Sequence, residues 1–315
     1  MLKCQRFEYI KFINLIIISG INKLKNIKLS TPINIGKGSR IFSYDSVISG
    51  IGSCFAQYIM EYFQSLDFNT KYNPNGIVYN AVSIAKSLDH IVNEKIYDPK
   101  CFINHNSLWH SWEHHGSFSN SNLNRLKSKI NKTRTEFKKK LADSDLFILT
   151  PSSSVVYCLE SEGIITANCH KYPGKNFKTK VLRTEANFAA LSDCISSIRE
   201  VNKHCLIVIT LSPVRHYPGN LILNAKSKAN LLSAIHQCID KFENTEYFPA
   251  YEILLDELRD YRFYNVDMLH PTDLAREIII NRFISTYFSP DCITAINKKK
   301  KQLKASQHRT NNSIF

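Results

Sequence analysis

No stretch of this chain approaches the ~18 consecutive apolar residues that a membrane-crossing helix needs, so no transmembrane segment is expected. The nearest run, Phe12 to Ile18, is interrupted by Asn14, follows Lys3, Arg6 and Lys11, and lacks the small-residue cleavage site of a secretory leader; it reads as an early strand or helix. Cysteine pairing is missing as well. Nine cysteines are scattered from Cys4 to Cys292, an odd number with no two of them two residues apart, which supports neither a disulfide framework nor a zinc ribbon. Reduced thiols in a cytoplasm fit that pattern, with secretion the weaker alternative. Acidic residues are in deficit, 27 against 41 Lys and Arg, for a net charge of +14. The basic residues are spread through the chain and no nucleic-acid motif accompanies them. A solvated basic surface is therefore expected, and a polyanion partner is only the minority reading. There is no internal repeat and no HExxH arrangement.

What is present is the balance of a folded protein, 43% hydrophobic and 22% charged over 315 residues. That length admits roughly two domains or one elaborated α/β domain. Three regions are expected: an N-terminal extension over 1–44, a patterned body over 45–290, and a basic, disordered tail over 291–315 carrying Lys298 to Lys301. In the body, short β-branched runs alternate with segments of helical period, the mark of a mainly parallel sheet covered by helices. Strands are expected at Ser46 to Ile51, Asp145 to Thr150 and Cys205 to Leu211. Helices are expected from Ser53, and over Asn80 to Asn93, Thr184 to Val201, Ala225 to Phe242 and Pro271 to Tyr287.

Gly50-Ile51-Gly52-Ser53-Cys54-Phe55-Ala56 lies where the first strand turns into the first helix. A serine there meets unpaired backbone N–H groups and the positive end of the helix dipole, which suits a nucleophile; it is equally a favoured N-cap. Near the other end, Asp267 and His270 are spaced so that the carboxylate can orient the imidazole, or so that both simply cap the helix after Pro271. His105, His110, His114 and His115, with Trp109, Trp112 and Glu113, read as pocket lining rather than as a metal site. No metal or cofactor is called for. Cys54 reads as a small buried filler, not as a thiol nucleophile. Arg215 and His216, after the third strand, suit an anionic or sugar contact, or pairing with the carboxylates of Asp260 to Asp267.

The chain resembles the GSCFA family, whose pentapeptide reads Gly52-Ser53-Cys54-Phe55-Ala56 here. Further segments similar to that family's pattern are Asn73-Pro74-Asn75-Gly76 with Tyr79-Asn80, Ala167 to Lys171, Ser212 to His216, Asn224 with Ser227-Lys228-Ala229, and Asp260 to Tyr264 leading into Asp267 to Pro271. The resemblance implies an SGNH/GDSL-like hydrolase: a flavodoxin-like three-layer α/β/α sandwich in which Ser53, Asp267 and His270 form a catalytic triad. It implies the backbone N–H of Ser53 as the first oxyanion donor and Gly76 as the second, with Asn73 beside them as an oxyanion or substrate contact. An asparagine usual after the third block is replaced here by Pro151-Ser152-Ser153-Ser154. Asn168 is then either the substitute donor or a turn asparagine bonded to local backbone. The implied activity is hydrolysis of an acyl ester, as an esterase or deacetylase acting on a small molecule or an O-acylated carbohydrate. O-acyl transfer with the same triad and non-catalytic glycan or acyl binding are the alternatives.

Overall fold

Residues 30–216 and 220–311 are described in a computed structural model, with side chains to residue 305. The strand or helix expected at Phe12 to Ile18 and the rest of the first 29 residues lie outside the described residues. From the N-terminal side, β1 (Ile48–Gly52) runs into α1 (Cys54–Ser65), followed by β2 (Thr70–Tyr72), α2 (Ala81–Val92), and a hairpin of β3 (Phe102–His105) and β4 (Leu108–Ser111). Then come α3 (Leu123–Ala142), β5 (Leu146–Thr150) and three antiparallel strands, β6 (Val155–Leu159), β7 (Ile164–Thr166) and β8 (Phe177–Val181). The chain closes with α4 (Thr184–Val201), β9 (Leu206–Ile209), α5 (Leu221–Lys241), β10 (Thr245–Tyr247), a helical turn Ala250–Glu252 winding on as a π-helix Ile253–Leu258, α6 (Asp273–Tyr287) and α7 (Pro290–Asn311).

The central sheet has the order β10-β9-β5-β1-β2, with every pairing parallel. Its three inner strands are buried on both faces, and alternate residues divide between two helical layers. Ile48, Leu146, Ile148, Leu206 and Val208 pack with α1, α6 and α7. Ile51, Phe147, Leu149, Ile207 and Ile209 pack with α2, α3, α4 and α5. This is the expected three-layer α/β/α sandwich.

The continuous apolar runs were readable as strands because parallel strands covered on both faces need them. The edge strands β2 and β10 are three residues each, partly polar and largely half-buried, and offered no such run. Helix α3 hides its buried stripe of Leu126, Ile130, Phe137 and Leu141 among lysines and arginines.

The expected disordered tail is a correction. Residues 290–311 form α7, on which Cys292 and Ile296 are buried in the main core and Ile293 and Leu303 pack against it. Lys299 pairs with Asp67, and Lys300 with Glu277. A few apolar side chains at helical spacing suffice when a core face is available to receive them. The described residues just before 45 are likewise bound to the body, because Phe42 is buried, bridges to Phe288 and donates its amide to the Tyr287 carbonyl at 2.7 Å. Truncating Ile296 to alanine should therefore cost about 2–4 kcal/mol in urea unfolding. Lys298→Ala, on the exposed side of the same helix, should change stability by no more than about 0.5 kcal/mol.

Candidate active site

The turn from β1 to α1 is built on close backbone approach. Gly52 has φ +147°, and a Cβ there would lie 2.2 Å from the Thr150 carbonyl oxygen, so only glycine fits. The Gly52 amide donates to Asn73 Oδ1 at 2.8 Å, and the Ser53 amide donates to the Thr150 carbonyl at 3.0 Å. Ser53 then occupies the N-cap position of α1, but its hydroxyl makes no capping bond. The side chain is 0% exposed and Oγ has no hydrogen-bond partner. The capping explanation of Ser53 therefore fails. A buried hydroxyl without a partner is costly and rare, and it marks a place prepared for another group.

The second half of the expected triad stands on a separate support. His270 Nδ1 lies 2.7 Å from Asp267 Oδ2, while Asp267 Oδ1 accepts the amides of Leu269 and His270 at 2.9 and 3.0 Å. Those two amides and the imidazole hold the Asp267 carboxyl down to about 2. With Nδ1 donating to the carboxylate, Nε2 is the free basic position. The helix that follows is capped by Thr272, whose Oγ1 accepts the Ala275 amide, so the capping explanation of Asp267 and His270 fails too. Both side chains are 45% exposed. Because Ser53 Oγ has no hydrogen-bond partner, the Ser53–His270 bond is not formed in this structure. Such contacts are often loose without substrate.

Arg215 couples this loop to the sheet edge. Its amide donates to the Leu269 carbonyl at 3.1 Å, its guanidinium to the Met268 carbonyl at 3.2 Å, and the guanidinium lies 4.0 Å from the centre of the Tyr264 ring. The expected pairing of Arg215 with acidic side chains is thus replaced by backbone carbonyls and an aromatic face. Arg215, Tyr261 and Tyr264 also line a cleft of about 490 Å³ with Asp256 and Arg259. His216 sits back from it, its amide bonded to Asn224 Oδ1 and its ring 5.6 Å from Tyr79; burial, aided by Lys228, pulls it down to about 4 and keeps it neutral.

The expected oxyanion donors need correcting. The Ser53 amide is committed to Thr150, and the Gly76 amide is committed to the Asn73 carbonyl at 2.8 Å. Gly76 is nonetheless required, with φ +75° and a Cβ position 2.4 Å from His115 Cβ. Asn168 takes its turn role: Oδ1 accepts the His170 amide at 2.8 Å, beside the Trp112 carbonyl. Ser152, Ser153 and Ser154 are buried, and the last two bond Ser227 of α5, which ties β5 to that helix. What the structure offers instead is Asn73. Its Oδ1 is fixed by Gly52, which leaves Nδ2 buried and unpartnered next to the Ser53 turn.

Of the histidine cluster, His110 and His114 are buried beside the β3–β4 hairpin, while His105 and His115 are half-buried. His110 bridges Ser119 and the His105 carbonyl, and fully buried His114 bonds Ser111 and is held down to about 3 by burial. Among the described residues no three His, Cys, Asp or Glu side chains are grouped to hold a metal. Burial raises the Cys54 thiol, in keeping with a filler role.

Sequence reasoning named Lys228 only within a family-like segment, without a role, and gave none to the two threonines, Thr150 and Thr210, that end β5 and follow β9. Both threonine hydroxyls are buried without partners. Lys228 is 1% exposed and stands on the buried stripe of α5 with Asn224, Leu231 and Ile235. A lysine in register with that apolar stripe was the signal available in the sequence.

The GSCFA family pattern matches residues 47–283. Among solved structures, this chain is similar to a family 3 carbohydrate esterase from Clostridium thermocellum, at 11% identity and a TM-score of 0.36, covering 76% of this chain and 93% of that one. It is also similar to a carbohydrate esterase family 3 protein from Talaromyces cellulolyticus, at 8% identity and a TM-score of 0.35, covering 81% of this chain and 98% of that one. No curated protein matches.

The Asp267 geometry carries a pH prediction. A folded value near 2, below the ordinary aspartate value, means that Asp267 supports the folded state above about pH 4 and loses that contribution as pH falls through about 2. Carboxyl-carbon NMR of the native protein should give a midpoint near 2 for Asp267, and a return toward the ordinary value in His270→Ala would show the imidazole's share.

Proposed function

The chain belongs to the GSCFA family, and from that membership and its site we propose that it is a serine hydrolase acting on acyl esters. The observation that carries the proposal is the Ser53 hydroxyl, fully buried, unpartnered and not used as a cap at the carboxyl edge of a parallel sheet. In such folds that edge is where ligands bind. His270 Nε2 removes the proton from Ser53 Oγ as Oγ bonds to the ester carbonyl carbon. Asp267, already ionised, keeps the imidazole in the right tautomer and stabilises the imidazolium. The tetrahedral intermediate collapses, the alcohol leaves with the proton from His270, and an acyl-Ser53 ester remains. Water activated by His270 then releases the acid. Contact between Ser53 and His270 requires the loop carrying Asp267 and His270 to close over the buried serine, and Arg215 is what ties that loop to the sheet edge.

The substrate class follows from the resemblance to SGNH enzymes: an ester-linked acyl group, with O-acylated carbohydrate as the proposed acceptor side. The open cleft beside the His270 loop offers two tyrosines and two arginines, Arg215 and Arg259, which suits stacking on a sugar ring and bonding to its hydroxyls. A sugar hydroxyl in place of water at the last step would make the same machinery an acyltransferase.

Fluorophosphonate labelling followed by peptide mapping should place the adduct on Ser53 and nowhere else. Hydrolysis of p-nitrophenyl acetate should fall by at least about 10³-fold in Ser53→Ala and in His270→Ala. A folded Ser53→Ala variant that keeps its turnover sinks the proposal.

A further inference from the structure

Buried charge needs compensation, and one buried charge has no opposite charge to pair with among the described residues. Lys228 lies on α5, 1% exposed, and its single hydrogen bond among the described residues runs from Nζ to the Ser212 carbonyl at 2.6 Å. No carboxylate among the described residues pairs with it. The groups that face it are Cys54 at the start of α1, His216 after β9, and the ring of Tyr251, whose centre is 5.6 Å from Nζ. A lysine ammonium has three N–H donors, so two remain for something else. Ser212 in turn receives its place from the Pro151 carbonyl, one residue past the strand end that bonds Ser53. Lys228 therefore reaches the same carboxyl edge of β1, β5 and β9 where Ser53 Oγ, Asn73 Nδ2, Thr150 Oγ1 and Thr210 Oγ1 are buried without partners.

That edge lacks the backbone donors expected of it, because the Ser53 and Gly76 amides already serve other carbonyls. We propose that the Lys228 ammonium, with Asn73 Nδ2, binds the negatively charged oxygen that forms on the substrate's carbonyl. The inference rests on the Ser53 reading and deepens it. As Ser53 Oγ bonds to carbon and its proton passes to His270, the carbonyl π pair moves onto oxygen. Lys228 keeps its proton and donates a hydrogen bond to that oxygen; the pair returns when the alcohol leaves. In a buried site such a donor acts far more strongly than in water. Burial pulls the amine down to about 7, so the charged form is present below about pH 7 and is lost above it. His216, kept neutral, and Cys54, kept as a thiol, leave that switch to Lys228.

The test uses the full chain. Lys228→Met retains the volume and removes the charge, and should fold with an unchanged or higher Tm because a buried unpaired charge is gone. Its kcat/KM on p-nitrophenyl acetate should fall about 10²–10³-fold. The native loss of activity above pH 7 should be absent from its profile, and Lys228→Arg, which stays charged, should carry any recovered activity to higher pH. Activity within threefold of native in Lys228→Met, or a native profile that rises through pH 7 to 9, overturns the inference, the second because it marks a neutral amine acting as base. A separate arm needs no chemistry. Acetate titrated calorimetrically into Ser53→Ala should bind at pH 6, weaken at pH 9, and be lost when Lys228→Met is added. Acetate binding that depends on Lys228 in a chain that shows no turnover and no Ser53 labelling would overturn the nucleophile reading and leave the anion site standing. Acetate binding indifferent to Lys228 overturns the site.

Discussion

The contact on which the rest depends is the approach of the end of β1 to the end of β5. Gly52 comes so close to the Thr150 carbonyl that no side chain fits between them, and the Ser53 amide completes the contact. Three consequences follow from this one constraint. Ser53 is turned inward at the head of α1 with its hydroxyl buried. Asn73 is fixed by the Gly52 amide, which aims its own amide nitrogen at an unpartnered position. The Ser53 N–H, which the proposed chemistry would otherwise lend to an oxyanion, already donates to the Thr150 carbonyl.

The proposed nucleophile and its proposed base are held by different physics. Ser53 is locked by backbone packing within a sheet buried on both faces, where little can shift without a cavity or a clash. Asp267 and His270 sit on a half-exposed loop whose internal order comes from a carboxylate accepting two amides and an imidazole. The link between the two supports is Arg215, which grips the loop through the Met268 and Leu269 carbonyls and stacks on Tyr264. Several family segments thereby find their use as scaffold: Ser212 to His216 joins the sheet to the loop, and Ser227 anchors the serines after β5. A rigid serine with an adjustable base suits a site that must admit a substrate before the proton relay is complete.

The α/β layering was legible because inner parallel strands must be apolar on successive residues and covering helices must carry a stripe at helical spacing. Thr184–Val201 appears with the ends the pattern indicated, and α2 sits within one residue of the expected segment at each end. Ser53, Asp267 and His270 were legible as candidates because their residue types and local spacing have few chemical uses. What the one-dimensional pattern could not show is who occupies each hydrogen bond. Gly76 looked like a donor and Asn168 like either a donor or a turn asparagine, yet the Gly76 amide serves Asn73 and Asn168 closes a local turn. The basic tail looked unable to order itself, and alone it lacks the apolar area to do so. The core face built by α1 and α6 supplies the missing surface.

By itself, the sequence determined the strand and helix periods, the glycine at the tight turn and the presence of a serine at a strand-to-helix turn and of an Asp267–His270 pair at short spacing. Those are properties of residue type and short spacing, which a linear chain carries intact. Only the tertiary structure decided that, among the described residues, the Ser53 hydroxyl is left without a partner, two expected donors are engaged, and Lys228 is buried without a carboxylate. Hydrogen-bond satisfaction and desolvation depend on every neighbour brought in from distant parts of the chain, and burial sets the cost of each unmet bond.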